Sequence, residues 1–301
     1  MLEAMACEPT QREAAALRAV LVLAVEEDLG AGDVTGALVP DDSAARGQFR
    51  ARVGLTVCGT RLLDQIASAY AGAIRTTVLA ADGEQVQADQ VLAEWDGSAK
   101  ALLAAERVAL NVLQHLSGIA TATRQFVQAA AGRADIYDTR KTTPAWRVLE
   151  KYAVRAGGGR NHRMGLYDAI LVKDNHLAAL AGAGRDDPLA AVAAGLAGAR
   201  GRLGPGAIVE IEVDRLSQLE AALGMDVDVV LLDNMTEAQL AEAVAIRDRA
   251  GLKGRVALEA SGGVTLETVA RIAETGVERI AVGAITHSAT AVDIGLDLVF
   301  D

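Results

Sequence analysis

Apolar residues change their spacing several times along the first hundred positions. Between Thr10 and Leu29 they recur at helical intervals (Ala14, Leu17, Val20, Leu21, Ala24), which predicts an amphipathic helix. The helix runs into EDLGAGDVT, where Glu27, Asp28 and Asp33 sit among Gly30 and Gly32; turn and cap chemistry accounts for this acidic loop better than a metal site does. Residues 44–58 alternate well enough for a strand pair, and residues 61–71 read as a helix. Two short strand signals between 74 and 95 flank Asp82-Gly83, a hairpin or loop signal. This is the pattern of an α+β domain, and nothing in it before residue 100 resembles a catalytic constellation. Positions 100–131 are helical, with a break expected near Ser117-Gly118. Arg107, Asn111 and His115 fall four apart there and form one polar stripe on an otherwise apolar helix. A solvent-facing stripe and an arginine pointing into an anion site both fit.

After Ala131 the pattern becomes strand, polar end, helix, repeated. The strands predicted are 135–138, 169–173, 208–213, 227–233, 255–261 and 279–283, and helices are predicted over 186–199, 216–223, 236–250 and 266–275. Nearly unbroken Val/Ile/Leu strands between amphipathic helices signal a parallel sheet covered by helices. The expected fold class is α/β, a (β/α) barrel of about six parallel strands and therefore incomplete; an open doubly wound sheet satisfies the same pattern.

Composition narrows the function classes. The chain has 301 residues, a net charge of −11 and only 3% aromatics. Net acidity disfavours nucleic acid and anionic membrane as partners, and the shortage of aromatic rings disfavours base-stacking sites. Cys7 and Cys58 form neither a disulfide framework nor a zinc site. No signal peptide or membrane-spanning run is legible, so a cytoplasmic location is expected.

Positive charge is gathered in one place. Residues 138–176 hold eight Lys/Arg against four acids, a local +4 that leaves −15 on the rest of the chain. Arg140-Lys141 follow one strand and Lys173 ends another, so these cations sit where strands stop, as a site for a small polyanion requires. The other strand ends supply Glu212, Asp233, Ser261-Gly262-Gly263 and Gly283-Ala284. In a parallel barrel such groups meet at one rim. Glycine-rich turns near helix starts suit a phosphate. Glu212 and Asp233 suit a metal or sugar hydroxyls, with an ion pair to Lys141 or Lys173 as the plainer alternative. Asn161, His162, Arg163 and Arg140 offer donors for carboxylates. Lys173 could instead form a Schiff base if burial and neighbouring cations lowered its pKa.

Several long stretches resemble one family. TRKTTP at 139–144, EKYAVRAGGGRNHRMGLYDAILVKDNH at 150–176, LLDNM at 231–235, EASGG at 259–263 and VGAITHSA at 282–289 are similar to quinolinate phosphoribosyltransferase, and EDLGAGDVT and AERVALNVLQHLSGIAT match it as well. The resemblance implies a type II phosphoribosyltransferase: an N-terminal α/β sandwich (1–117 with 287–301) and an incomplete TIM-like barrel (118–286). It implies phosphoribosyl transfer from phosphoribosyl pyrophosphate to quinolinate, giving nicotinate mononucleotide, pyrophosphate and CO2 in NAD synthesis, with Mg2+. A homodimer or higher even oligomer is implied, with Arg107 reaching the neighbouring subunit's site.

Carried over by motif, Thr139, Arg140, His162, Arg163, Lys173 and the partner's Arg107 belong with the substrates, the arginines, His162 and Lys173 on the two quinolinate carboxylates. Lys141 and Lys173 face pyrophosphate, Glu212 and Asp233 the ribose hydroxyls and Mg2+, and Ser261, Gly262, Gly263, Gly283 and Ala284 the 5′-phosphate region. Lys141, Lys173, Glu212 and Asp233 form the implied catalytic set. Arg147, Lys151, Arg155 and Arg160 are left as a solvated helix or loop, with Gly157-Gly158-Gly159 shaping a turn. Ala145-Trp146 and Val108 depart from the family's usual residues, Trp146 as a surface substitution. The paired acids Asp41-Asp42 and Asp186-Asp187 lack the context of the other common phosphoribosyltransferase type. A Schiff-base barrel lyase and a non-catalytic phosphosugar-binding relative are the competing readings.

Overall fold

A computed structural model describes residues 7–40, 43–70, 73–184, 187–204 and 206–300. The chain start, Asp41, Asp42, Ala71 and Asp186 lie outside these residues.

Packing divides the chain into two compact units, residues 1–124 with 141–159 and 285–301, and residues 125–140 with 160–284. The expected boundary at 117/118 falls inside a helix, and 141–159 pack with the first unit. In chain order the elements are α1 Gln11–Leu29, β1 Ala44–Ala51, β2 Leu55–Thr56, α2 Leu63–Ala67, β3 Arg75–Val78, β4 Gln85–Val86, β5 Val91–Ser98 and α3 Ala99–Ala130. There follow β6 Asp135–Tyr137, α4 Arg147–Ala156, β7 Ile170–Val172, α5 Asp174–Gly182, α6 Pro188–Leu203, β8 Val209–Val213, α7 Leu216–Leu223, β9 Val229–Asp233, α8 Glu237–Arg249, β10 Ala257–Ser261, α9 Val269–Glu274, β11 Arg279–Ala281, α10 Ala284–His287 and β12 Ile294–Val299.

In the first unit α1 starts where Thr10 and Glu13 close a reciprocal cap, the Glu13 carboxylate accepting the Thr10 N–H at 2.6 Å. Leu17 and Leu21 of its apolar stripe are buried. In the acidic loop, the Asp33 side chain accepts the Gly36 N–H at 2.7 Å, a turn rather than a metal site. An antiparallel sheet runs β12-β1-β5-β3, and β2 pairs with β4 in a separate two-stranded sheet. The strand pair expected over 44–58 is therefore split between two sheets, and Asp82-Gly83 lie in a loop between strands of different sheets. Asp82 is buried and accepts Gly59 N–H, Thr60 N–H and Thr60 Oγ1–H at 2.9, 3.0 and 2.7 Å, which holds that loop in place. β12 returns the C-terminal segment to this unit, antiparallel to β1 from Arg46↔Val299 to Ala51↔Ile294.

The expected break in α3 does not occur. A Cβ on Gly118 would stand 2.3 Å from the Thr290 carbonyl oxygen, so this glycine admits a neighbouring backbone rather than ending the helix. Ser117 Oγ meanwhile bonds both the N–H and the C=O of Cys58, at 3.0 and 3.1 Å. A similar reason accounts for Gly157, whose Cβ would come within 2.6 Å of the Ala120 carbonyl on α3.

The second unit holds a six-stranded parallel sheet of order β6-β11-β10-β9-β8-β7. Each strand lies within a stretch predicted from the apolar runs, and α7 and α8 fall on the predicted helices. The sheet has two edges, β6 and β7, and is not a closed barrel. Its long helices are capped by their own sequences: Asp187 accepts the Ala190 N–H ahead of Pro188 in α6, and Thr236 caps α8 with Gln239. In parallel pairing, residues in register share a face. Glu212, Leu231, Glu259 and Arg279 therefore form one row across the sheet, and Asp233 and Ser261 pair one step nearer its C-terminal end.

Candidate active site

The polar strand ends of the second unit meet at the C-terminal end of the sheet. Lys173, the residue after β7, bonds Glu212 on the neighbouring β8 at 2.9 Å. Glu212 and Asp233 both line a cleft of about 260 Å³, together with Asp174, Leu177, Asp214, Arg215 and Gln218. Asp233 accepts the Asn234 side-chain amide at 2.7 Å, and Asn234, itself at φ 54°, gives its N–H to the Ser261 carbonyl at 2.9 Å. Gly262 follows at φ 98°, where a Cβ would lie 2.1 Å from the Asn234 side-chain oxygen. The turn from Ser261 through Gly263 thus needs glycine both for its backbone angle and for space. Gly283 stands between β11 and α10, and Ala284 is the first residue of α10. The helix dipole expected behind Gly262-Gly263 is not there, because α9 starts only at Val269; loop N–H groups are the donors this turn presents.

The arginines occupy the other side of this rim. Arg140 and Thr139 follow β6 and are half-buried, as is Arg163. Burial, joined by the charge of Arg140, pushes the Arg163 guanidinium below its usual pKa. Arg163 Nε is buried with no hydrogen-bond partner among the described residues. A buried donor beside a second cation has unused capacity for an anion. Lys141, next in the chain after Arg140, is exposed and belongs to the first unit, where its carbonyl accepts the Thr286 hydroxyl at 2.7 Å. Arg107 is exposed on α3 in that same unit.

Some expectations need correction. His162 does not present a free ring to a carboxylate: Nδ1 accepts the Arg163 N–H at 2.8 Å and Nε2 meets Glu210 at 2.7 Å. Lys151 is 1% exposed rather than solvated, because α4 buries most of its surface. Arg155 is half-buried and pairs with Glu13 at 2.6 Å, whereas Arg160 is exposed, as expected, and pairs with Asp135 at 2.8 Å. Trp146 is not a bare surface substitution, since its ring packs edge-on against His115, 5.5 Å between centroids. His115 in turn bonds the buried Glu150 at 3.0 Å, and Glu150 accepts the Thr143 N–H. These bonds anchor the segment that follows Lys141.

Strand-end reasoning missed the buried charges inside the sheet, Glu210, Glu259 and Arg279, and Asp138 just after β6. Arg279 bonds Glu259 at 2.6 Å and lies 3.9 Å above the Tyr137 ring. The signal was in β8, where Glu210 and Glu212, two apart in an apolar strand, must share a face. Lys173 also lacks what a Schiff-base lysine requires, since its side chain is 44% exposed and its neighbour is a carboxylate.

Comparison with known proteins follows the same lines. The family model described as "Quinolinate phosphoribosyl transferase, C-terminal domain" matches residues 119–297, and its N-terminal counterpart matches residues 33–117. The chain is 43% identical over 289 residues to a nicotinate-nucleotide pyrophosphorylase [carboxylating] of Mycobacterium leprae, covering 94% of this chain and 97% of that protein. It is 36% identical to a probable enzyme of the same name in Bacillus subtilis, covering 90% of each. The structure of the nicotinate-nucleotide pyrophosphorylase from Francisella tularensis superposes with a TM-score of 0.85 at 32% identity, over 99% of this chain and 100% of that one. With both family models matched in order along one chain, this protein belongs to the quinolinate phosphoribosyltransferase family.

Proposed function

We propose that the rim of the parallel sheet divides the two substrates of this family's reaction among three groups of side chains. The reaction itself is phosphoribosyl transfer from phosphoribosyl pyrophosphate to quinolinate with decarboxylation, a pentosyl transfer in NAD biosynthesis. Arg140 and Arg163 take the quinolinate carboxylates, with Lys173 between the substrates and Arg107 supplied by the partner subunit of a homodimer or higher even oligomer. Thr139 lies beside Arg140, and Lys141 faces pyrophosphate. Ser261, Gly262, Gly263, Gly283 and Ala284 surround the 5′-phosphate. Glu212 and Asp233 face the ribose.

The observation that carries this assignment is Arg163 Nε, buried with no hydrogen-bond partner among the described residues and within the field of the Arg140 charge, on the rim that also presents the Lys173–Glu212 pair. A dicarboxylate neutralises such a pair of cations.

Glu212 and Asp233 also fit Mg2+, since both are carboxylates on one cleft and each keeps acceptor sites beyond the bond it makes among the described residues. Bound there, Mg2+ would supply charge neutralisation for pyrophosphate. The chain's own groups do the rest. Glu212 and Asp233 stabilise positive charge as the ribose becomes oxocarbenium-like, and Lys141 and Lys173 stabilise the departing pyrophosphate. Attack by the ring nitrogen makes a pyridinium, whose charge favours loss of the adjacent carboxylate as CO2; the electron pair left on the ring carbon takes up a proton from water. Positioning and electrostatics then suffice, with no covalent enzyme intermediate; a sugar-linked or Schiff-base adduct trapped during turnover would refute that step.

The decisive assay is CO2 release from carboxyl-labelled quinolinate in the presence of phosphoribosyl pyrophosphate and Mg2+, with nicotinate as competing substrate. Quinolinate-dependent CO2 is expected. Turnover of nicotinate alone would overturn the assignment.

A further inference from the structure

Below the rim, the second unit contains a chain of charged groups that ends on Arg163. Glu210 is 1% exposed and Glu259 fully buried, and neither lies at a strand end where a ligand would reach it. Both face His162, with Nε2 at 2.7 Å from Glu210 Oε2 and 3.7 Å from Glu259 Oε1. The other ring nitrogen, Nδ1, accepts the Arg163 N–H at 2.8 Å, so the proton of the neutral ring sits on Nε2 and points at Glu210. The backbone next to it is clamped as well: buried Asp138 accepts the His162 N–H at 2.8 Å and the Asn161 side-chain amide at 2.7 Å.

The same three side chains, His162, Glu210 and Glu259, are close enough together to suggest a cation site. The geometry argues otherwise. A ring whose Nδ1 accepts a backbone N–H carries its proton on Nε2 and has no lone pair there for a metal, and Arg279 already neutralises Glu259 at 2.6 Å.

We infer that Glu210, backed by Glu259 and Arg279, is a positioning residue that sets the place of Arg163 through His162. The three residues touch no substrate. They fix the imidazole, the imidazole fixes the Arg163 N–H, and the guanidinium is thereby presented to the quinolinate carboxylate already ordered. Ordering a long arginine side chain in advance removes a cost that binding otherwise meets. This inference rests on the assignment of Arg163 to quinolinate given above.

The test is a double-mutant cycle read by calorimetric Kd values for quinolinate and for phosphoribosyl pyrophosphate, on wild type, Glu210→Met, Arg163→Lys and the double variant. Methionine keeps the volume and removes the acceptor. Glu210→Met should weaken quinolinate about tenfold while leaving phosphoribosyl pyrophosphate within about twofold. Added to Arg163→Lys, it should weaken quinolinate by less than about threefold, because both changes act on one contact. Glu210→Gln restores an oxygen acceptor and should recover quinolinate binding to within about threefold of wild type.

A folded Glu210→Met protein that binds quinolinate normally, weakens both substrates equally, or multiplies in full with Arg163→Lys overturns the inference. Should Glu210→Met not fold in a thermal melt, Glu259→Gln enters the same cycle, and full multiplication with Arg163→Lys there overturns it equally. Wild-type protein that binds phosphoribosyl pyrophosphate but not quinolinate would sink the underlying assignment of Arg163, an outcome separate from any pattern among the variants.

Discussion

At the scale of single residues, the charged groups of the second unit fall into two layers with different physics. Rim groups such as Lys173 and Glu212 remain partly exposed, which suits groups that exchange a protein partner for a ligand. Glu210 and Glu259 are buried. Burial, reinforced by the charge of Glu210 and opposed by Arg279, pushes the Glu259 carboxyl up to about 7. In the unfolded chain this group titrates near about 4.3. Between those values the folded protein holds a proton that the unfolded chain has released. The stability linked to Glu259 is therefore fully present below about pH 4 and lost as pH rises through about 7. Thermal melts should show the wild type losing stability from pH 5 to pH 8 by at least about 3 °C more than Glu259→Gln, which has no proton to lose. Equal slopes for the two proteins would contradict the raised carboxyl. His162 shows how far residue type alone reaches. Its place beside Arg163 was legible, whereas its use inside the protein depended on Glu210, 48 positions away.

Among the elements, strands were more legible than helix interiors or strand partners. A fully buried parallel strand is a short run of Val, Ile and Leu whichever strand it pairs with, so β7 and β9 declare themselves. Partner choice is another matter: β1 and β2 follow each other closely, yet β1 pairs with β5 and β12 and β2 with β4. Gly118 makes the same point for a helix. Intrinsic propensity says that alanine there should stabilise α3 by about 1 kcal/mol. The Thr290 carbonyl, 2.3 Å from the Cβ position, says the opposite, since overpacking against backbone costs about 1–3 kcal/mol. Gly118→Ala should therefore lower the melting temperature by roughly 3–8 °C, and a rise would show that the β12-side segment yields at no cost.

For the whole molecule, the site as proposed is completed by a second copy. Arg107 lies exposed on α3, and its assignment to a neighbouring subunit's quinolinate makes a specific claim about mixtures. Arg107→Ala and Lys141→Ala should each be inactive in the assay of CO2 release. After subunit exchange, random mixing puts both changes in one site of each mixed dimer and neither in the other, so activity should return to about a quarter of wild type. Proven exchange without recovery would rule out sharing. The linear order of residues determined much of this protein: six apolar strands with polar ends, the glycine turn at 261–263, the cations after β6 and β7, and the family those motifs mark. These are readable because each depends on residues near one another in the chain. Tertiary structure alone decided that Lys151 is buried, that Gly118 admits a backbone instead of breaking a helix, and that His162 is held between Glu210 and Arg163. In each case the deciding contact comes from a distant stretch, and burial and hydrogen bonding across that distance have no periodicity in the sequence to announce them.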